Sequence, residues 1–449
     1  MLSMLSIDQL QQPLAGISTD SRSIQPGSLF VALRGSRFDG HEFIQQATEQ
    51  GAIAAIVDRQ FSAPANLPTE FPLLVVEDTL QAYQQIGQGW RQQFQIPIIA
   101  VTGSVGKTTT KELIAAVLSQ YGRVLKTQAN YNNEIGVPKT LLELTDQHDY
   151  AVIEMGMRAA GEIALLAQIA QPDIAVITNV GTAHIGRLGS EQAIADAKCE
   201  LLQMLPPHGI AVLNHDNLRL IETAAQVWTG QQVTYGLTGG DLQGALIDAE
   251  TLRVGDHQLP LPLPGRHNAL NYLAALSVAQ HLGLDWMPLQ HGVMVELPQG
   301  RARRELWAHD LLILDETYNA GLESMLASLQ LLADVAGQRR IAILGTMKEL
   351  GDRSSQFHYQ VGQAVQQLQI DHLLILADPE ESEAMAEGAG MVPTEQFQTH
   401  TQVVERLKSL IQPGDRLLFK ASRAVGLDQI VAQFRLAWEG TADTDRSIG

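Results

Sequence analysis

The sequence predicts an α/β protein in three domains: a small mixed α/β N-terminal domain, a central parallel-sheet domain with a phosphate-binding loop, and a Rossmann-like C-terminal domain. Three observations carry this. The chain has 449 residues, well beyond the ~100–200 typical of one domain. Short apolar runs alternate with helix-patterned stretches through its central and C-terminal parts. One of those runs ends in a glycine-rich turn that opens a helix, IIAVTGSVGKTTTK at 98–111.

Residues 1–95 form the first predicted domain, with a Pro-rich loop, SAPANLPTEFP (62–72), and a Gln-rich helix before Pro97. The central domain, 96–304, takes its strands from IPIIAVTG (96–103), DYAVIEMG (149–156), PDIAVITNVG (172–181) and GIAVLN (209–214). The stretch LPQGRARR (297–304) reads as a basic, exposed hinge. Beyond it, 305–449 carries HDLLILDETY (309–318), RRIAILGTM (339–347), DHLLILA (371–377) and GDRLLFKAS (414–422). Continuous Val/Ile/Leu runs mark strands buried on both faces, as helices on either side of a parallel sheet bury them.

Composition narrows the function. Hydrophobic residues make up 45% and charged residues 18%, an ordinary globular balance. A formal net charge of -19 repels nucleic-acid backbones, so no nucleic-acid partner is expected. An anionic ligand binds such a chain only where local Lys, Arg or backbone N–H groups overcome the global field. The single cysteine, Cys199, permits no intrachain disulfide and suits a reducing compartment. The start, MLSMLSIDQL, lacks a basic region and a sustained apolar core, which makes it a poor signal peptide. No apolar run approaches the ~20 residues of a membrane span, so a cytoplasmic protein is expected.

The glycine turn is the strongest local signal. A β run ends at Val101, and the following TTTKELIAAVLSQYG sets Leu113, Ala116 and Val117 at helical spacing. Gly103 and Gly106 let backbone N–H groups turn toward a ligand with no Cβ in the way. Lys107 brings a charge to the outer phosphates, the Thr108 hydroxyl suits Mg²⁺, and the helix N-terminus adds its partial positive charge. Val101 stands where the standard GxxxxGK[ST] spacing has its first glycine. A glycine-rich helix cap with a chance Lys-Thr pair is the alternative, but strand and helix flank the turn as a phosphate cradle requires.

Three further residues are candidates. Glu154 ends the run AVIE, where a parallel strand meets the ligand crevice, and a carboxylate there can hold Mg²⁺; a solvated loop charge reads equally well. His184 follows the next run, in VITNVGTAHIG, and alone would be a surface histidine. Lys198 lies on the helix EQAIADAKCELLQML, whose apolar face is Ile194, Leu201 and Leu202. Its bland reading is a solvated helix lysine.

The form TGxxGKT, here 102–108, is typical of Mur ligases and folylpolyglutamate synthetases, and the chain resembles the Mur ligase family over essentially its whole length. The resemblance implies that Gly103, Ser104, Val105, Gly106, Lys107, Thr108 and Thr109 hold ATP. It implies a catalytic group of Lys107, Glu154, His184 and Lys198, and an Mg²⁺ held by Thr108, Glu154, His184 and Lys198, the last as the carbamate formed by its free amine and CO₂. The segment STDSRSIQPGSLFVALRGSRFDGHEF (18–43) is similar to a uridine-nucleotide-binding element, implying that Ser21 and Arg22 meet UDP. NYNNEIGVPKTLLEL (130–144) resembles an Asn-rich loop in which Asn132 and Asn133 contact the precursor, although N-N-E-I-G alone is only a turn signal.

LPLPGRHNALNYLAA (261–275) resembles a GxHNxxN element that sets His267 and Asn268 beside adenine; an Asn-capped helix start is the plainer reading. Arg301 matches an arginine of the second domain junction. DETYNA (315–320) resembles a motif in which Asp315 meets the nucleotide and Tyr318 and Asn319 line the closed site. KASRAVGLD (420–428) is similar to a K-G-S-R element, giving Lys420, Ser422 and Arg423 to the incoming dipeptide and phosphate. Three departures stand out. NAGLES (319–324) lacks the family's Pro after its NAN triplet, Ile185 and Gly186 follow His184 where a Glu is usual, and Ala421 replaces a glycine.

The activity so implied is ATP-dependent ligation, with UDP-N-acetylmuramoyl-tripeptide as acyl donor and D-alanyl-D-alanine as amine, by a monomeric enzyme. A tripeptide-forming Mur ligase or a folylpolyglutamate synthetase would share the ATP chemistry. Against the first, no DNPR-type element occurs in the last third; against the second stands the 18–43 segment. A P-loop regulatory NTPase is the rival from another class, but the chain has no N-K-x-D element.

Overall fold

All eight apolar runs are strands in the computed structural model, which describes residues 13–35 and 38–446, with side chains through 439. The start MLSMLSIDQL, read above as a poor signal peptide, and residues 36–37 of the 18–43 segment lie outside the described residues.

Three sheets organise the chain. The first holds β1 (Gly16–Ser18), β2 (Ser28–Val31), β3 (Ala54–Asp58) and β4 (Leu73–Val76), parallel and in sequence order. Side chains alternate between its faces: Phe30, Ala55 and Val57 pack in one cluster, and Leu29, Val31, Ala54 and Ile56 in another. The helix Thr79–Arg91 then ties this unit to the central one. Asp78 caps its start by accepting from the Leu80 and Gln81 amides. At its far end Trp90 Nε1 donates to the Leu144 carbonyl at 3.0 Å. The buried Arg91 guanidinium donates to the carbonyls of Phe94, Ala170 and Gln171.

The central sheet holds β5 (Ile98–Thr102), β6 (Val124–Lys126), β7 (Tyr150–Glu154), β8 (Ile174–Ile177), β9 (Ile210–Asn214), β10 (Gln231–Gly236), β11 (Leu242–Leu246), β12 (Thr251–Val254) and β13 (His257–Pro260). Its order is β13-β12-β11-β10-β9-β8-β5-β7-β6. Strands β5 to β11 are joined in parallel, and β12 and β13 extend the sheet antiparallel. Helices cover both faces of β5, so Ile98 and Ala100 enter one core and Ile99 and Val101 the other. From β5 the chain runs to β6 and β7 on one side and returns to β8 on the other. That reversal leaves a crevice at the strand C-termini.

The third sheet is β14 (Arg303–Trp307), β15 (Leu311–Glu316), β16 (Arg340–Gly345), β17 (His372–Leu376), β18 (Thr394–Gln396) and β19 (Arg416–Lys420), in the order β14-β15-β19-β16-β17-β18. All neighbours are parallel except β14 and β15. Of 297–304, read as an exposed basic hinge, Arg303 and Arg304 are exposed, but the segment leads directly into a strand. Arg303 and Arg304 begin a strand paired with Asp315 and Leu314, and Arg301 turns inward. Among the described residues no helix is long and apolar enough to cross a membrane.

One internal bond fixes the loop that follows β16. His358, on the helix Ser354–Gln367, is fully buried. Its Nε2 accepts from the Met347 amide at 2.9 Å and its Nδ1 lies 2.8 Å from the Ser354 carbonyl. Both nitrogens of a neutral ring are thus used, and burial pushes the pKa below the ordinary 6.5. The unfolded chain takes up a proton that the folded one resists, so this stabilisation is whole above pH 6.5 and is lost as pH falls toward the depressed folded value. Melting temperature followed from pH 7 to pH 5 should fall less steeply in His358→Gln than in the wild type.

Candidate active site

The crevice at the β5 reversal is a cleft of 1070 Å³ whose walls come from the central and third units. Its floor is the glycine turn. Gly103, at φ +152°, lies so close to Thr178 that a Cβ would overlap the threonine hydroxyl. Gly106, at φ +81°, is the N-cap of the helix Lys107–Leu118, and a Cβ there would come within 2.7 Å of Asn271 Oδ1. Only glycine suits either position. Asn179 braces the turn, its carbonyl accepting from the Ser104 amide and its Oδ1 from the Val105 amide, both at 3.0 Å. Thr178 Oγ1 donates to the Val105 carbonyl at 2.6 Å. The Lys107 amine donates to the Gly103 and Ser104 carbonyls at 2.7 and 3.3 Å. Burial lowers its pKa, Glu154 opposes that shift, and Arg301 adds to it.

Glu154 ends β7 with a nearly fully buried carboxylate. Oε1 accepts from Asn132 Nδ2 at 2.8 Å, while Oε2 is buried without a hydrogen-bond partner. Lys111, one turn into the loop's helix and fully buried, stands 3.9 Å from Oε2; it donates to the Thr127 carbonyl at 2.6 Å and pairs with Glu112 at 2.9 Å. An orphaned carboxylate oxygen in a cleft with the buried Thr108 and with His184 suits a hard cation. Among the described residues no three His, Cys, Asp or Glu side chains gather into a metal cluster. A cation here would therefore draw further oxygens from a phosphate, as Mg²⁺ commonly does.

His184 opens a short helix with φ +67°. Burial and the Lys107 charge hold its pKa below 6.5 against the pull of Glu349. Its Nδ1 meets Glu349 Oε2 at 2.5 Å. Lys198 is almost completely buried in the helix Glu191–Gln203 and does not line the cleft. Burial, reinforced by Lys107, drives its pKa well below the usual lysine value. The solvated reading of Lys198 is therefore corrected: the residue is buried, on a helix whose Ile194, Leu201 and Leu202 are buried too.

Across the cleft the second domain junction and the third unit supply cations. Arg301 stacks on Tyr318, its guanidinium carbon 3.9 Å from the ring centroid, and its Nε is buried without a partner. Lys420 donates to the Asn319 carbonyl at 3.2 Å and stands 3.6 Å from Glu316; burial lowers its pKa. Ser422 Oγ accepts from the Lys348 amide at 2.9 Å. Arg423 pairs with Asp428 and lies 6.0 Å from the Tyr318 ring.

The cleft also gathers Ser104, Val105, Thr109, Asn132, Asn133, His267 and Asn268. Asn133 Oδ1 accepts from the Gly136 amide, so the turn reading of that loop also holds. Asn268 donates to the Pro264 carbonyl, and burial lowers the pKa of His267. Besides Lys198, four expected residues do not line the cleft. Gly103 sits behind the turn. Asp315 spends Oδ1 on the Thr317 amide and hydroxyl, and its neighbour Glu316 faces the cleft instead. Ser21 bonds Gln46 and Arg22 pairs with Asp20, both in the first unit.

Several residues went unread. Asn271 accepts from Thr110 Oγ1 at 3.1 Å and donates to Asn268 at 3.3 Å; its i+3 spacing from Asn268 was the available signal. Glu323 and Glu349 reach over from the third unit, and no local pattern could reveal them. Glu323 accepts from the Thr182 amide at 2.6 Å. The Glu349 carbonyl accepts from the Gly186 amide at 3.1 Å, and Gly351 lies so near that a Cβ on Gly186 would come within 2.5 Å of its nitrogen.

Comparison with known proteins agrees with this architecture. The Mur ligase catalytic-domain model matches residues 13–91, the Mur ligase middle-domain model 101–279, and the Mur ligase glutamate-ligase-domain model 302–423. The chain is 59% identical to a UDP-N-acetylmuramoyl-tripeptide–D-alanyl-D-alanine ligase of Synechocystis, over 96% of this chain and 94% of that one. It is 38% identical to the enzyme of that name from Escherichia coli, over 93% of each. A crystal structure of MurF from Acinetobacter baumannii superposes with a TM-score of 0.86 at 35% identity, covering 95% of this chain and 94% of that one. MurF ligase from Thermotoga maritima, solved in complex with ADP, gives 0.83 at 29%, covering 95% and 98%. Three domain models in unbroken order and relatives matched nearly end to end lead to one conclusion: the chain belongs to the Mur ligase family.

Proposed function

We propose that the chain joins D-alanyl-D-alanine to UDP-N-acetylmuramoyl-tripeptide with ATP, in the cytoplasm, as a step of peptidoglycan synthesis. The observation that carries this reading is one cleft in which Lys107 and the glycine turn face Arg301, Lys420 and Arg423. The names of the full-length relatives support the choice of substrates. Residues 1–95 hold the uridine end of the precursor through Ser21 and Arg22, 96–304 hold ATP, and 305–449 receive the dipeptide. The working unit so proposed is a monomer.

Gly103–Thr109 present backbone amides and the helix N-terminus to the β- and γ-phosphates. His267 and Asn268 flank the adenine, and Glu316 rather than Asp315 faces the cleft from the end of β15. A carboxylate oxygen of the tripeptide, held near Asn132 and Asn133, attacks the γ-phosphorus; the bond to the bridging oxygen breaks and ADP leaves. Both reactants are anionic, so charge neutralisation by Lys107, Arg301 and Lys420 lowers the barrier most. Thr108, Glu154, His184 and, once carbamylated, Lys198 would hold Mg²⁺, whose charge would further neutralise the phosphate oxygens. The dipeptide amine then attacks the acyl carbon, the C–O bond to phosphate breaks, and the amine proton leaves with phosphate or a site carboxylate. Tyr318, Asn319, Ser422 and Arg423 orient the amine and exclude water, which would hydrolyse the acyl phosphate.

Supplied with ATP and UDP-linked tripeptide, the protein should release phosphate on addition of D-alanyl-D-alanine and not of diaminopimelate, lysine or glutamate, with a product of matching mass. Lys107→Ala should keep the fold and lower kcat by about 10²–10³-fold; turnover at the wild-type rate would remove the loop from the mechanism. Lys198 should give a carbamate signal in carbon-13 NMR with labelled CO₂, absent in Lys198→Arg, which should lose about 10–100-fold in activity. An unmodified amine under ample CO₂ would contradict that assignment.

A further inference from the structure

The loop that carries His184 is gripped from the third unit by two carboxylates. Glu323 accepts from the Thr182 amide and hydroxyl, at 2.6 and 3.2 Å. Glu349 accepts from His184 Nδ1 at 2.5 Å and from Arg187 at 2.9 Å, while its own carbonyl takes the Gly186 amide. Three contacts from one residue to 184, 186 and 187 do more than join two surfaces. Glu349 is itself held at φ +66°, a conformation uncommon outside glycine, and the bond from the Met347 amide to His358 pins the loop it stands on.

The consequence is a fixed tautomer. A carboxylate only accepts, so the proton of a neutral His184 ring sits on Nδ1 and the Nε2 lone pair is left for a ligand. Metal-binding histidines commonly have their second nitrogen held by a carboxylate, which sets ring orientation and basicity. Here that carboxylate arrives from a different domain. An exposed ion pair such as Arg187–Glu349 contributes little by itself; the imidazole contact is the consequential one.

We propose that Glu349 is a positioning residue which, when the third domain packs on the central one, orients His184 toward the cation beside the phosphate loop. Cation affinity is thereby tied to domain docking. The inference rests on the ligase reading for the identity of the cation, and its test separates the two.

Mn²⁺ binding to the full-length, ADP-loaded protein would be measured for the wild type, Glu349→Ala and the isosteric Glu349→Gln, with circular dichroism to check the fold. Both variants should bind Mn²⁺ about 10–100-fold more weakly, bind metal-free ADP as the wild type does, and recover kcat at saturating Mg²⁺. Nitrogen-15 NMR should show His184 protonated at Nδ1 in the wild type and as a tautomer mixture in Glu349→Ala. Unchanged Mn²⁺ affinity in both variants, or a wild-type His184 protonated at Nε2, overturns the proposal. If Mn²⁺ affinity falls as expected but the wild type makes no longer peptide, Glu349 retains its role and the ligase reading fails.

Discussion

A carboxylate and a triphosphate repel each other, and a chain of net charge -19 adds to that repulsion wherever its field is not locally reversed. In the cleft, local donors and cations stand against that field. Backbone amides of the glycine turn cost no net charge, and their helix places partial positive charge at the site proposed for the phosphates. Lys107, Arg301, Lys420 and Arg423 close in from two domains. Burial weakens the hold of Lys107 and Lys420 on their protons, and an arriving anion would restore it. Most of the architecture serves this placement: β5 between covered faces, the strand reversal that opens the crevice, and the third sheet standing across it.

The acidic side of the cleft is arranged with similar economy. Lys111 sits inside the helix that begins with Lys107, so the helix proposed to face the phosphates also brings a cation to within 3.9 Å of Glu154. Asn132 occupies one oxygen of Glu154 and leaves the other unmatched. A buried unsatisfied carboxylate oxygen is costly, and a bound cation would offset that cost.

Legibility in the sequence followed distance along the chain. Gly103 and Gly106 could be read because the strand and helix that demand them are their immediate neighbours. The eight Val/Ile/Leu runs were legible because burial on two faces leaves no polar positions. Strands β10 to β13 carry exposed polar residues such as Gln231, Gln232 and Gln258, and β6 and β18 span three residues each, too short for a pattern. The choice between Asp315 and Glu316 turns on which side of the pleat faces the cleft, and a single-residue step inverts it. Glu349 is farthest out of reach: it serves a histidine 165 positions earlier, and only the packing of two domains discloses it.

Gly186 and Gly351 meet main chain against main chain, with space for hydrogen alone between them. The contact therefore has no side chain through which its gap could be adjusted. Even a methyl group on Gly186 would wedge the lobes apart while leaving every sheet intact. Such a variant would keep the fold of each domain and its nucleotide, yet leak: moisture would reach the mixed anhydride, and fuel would be consumed with nothing built.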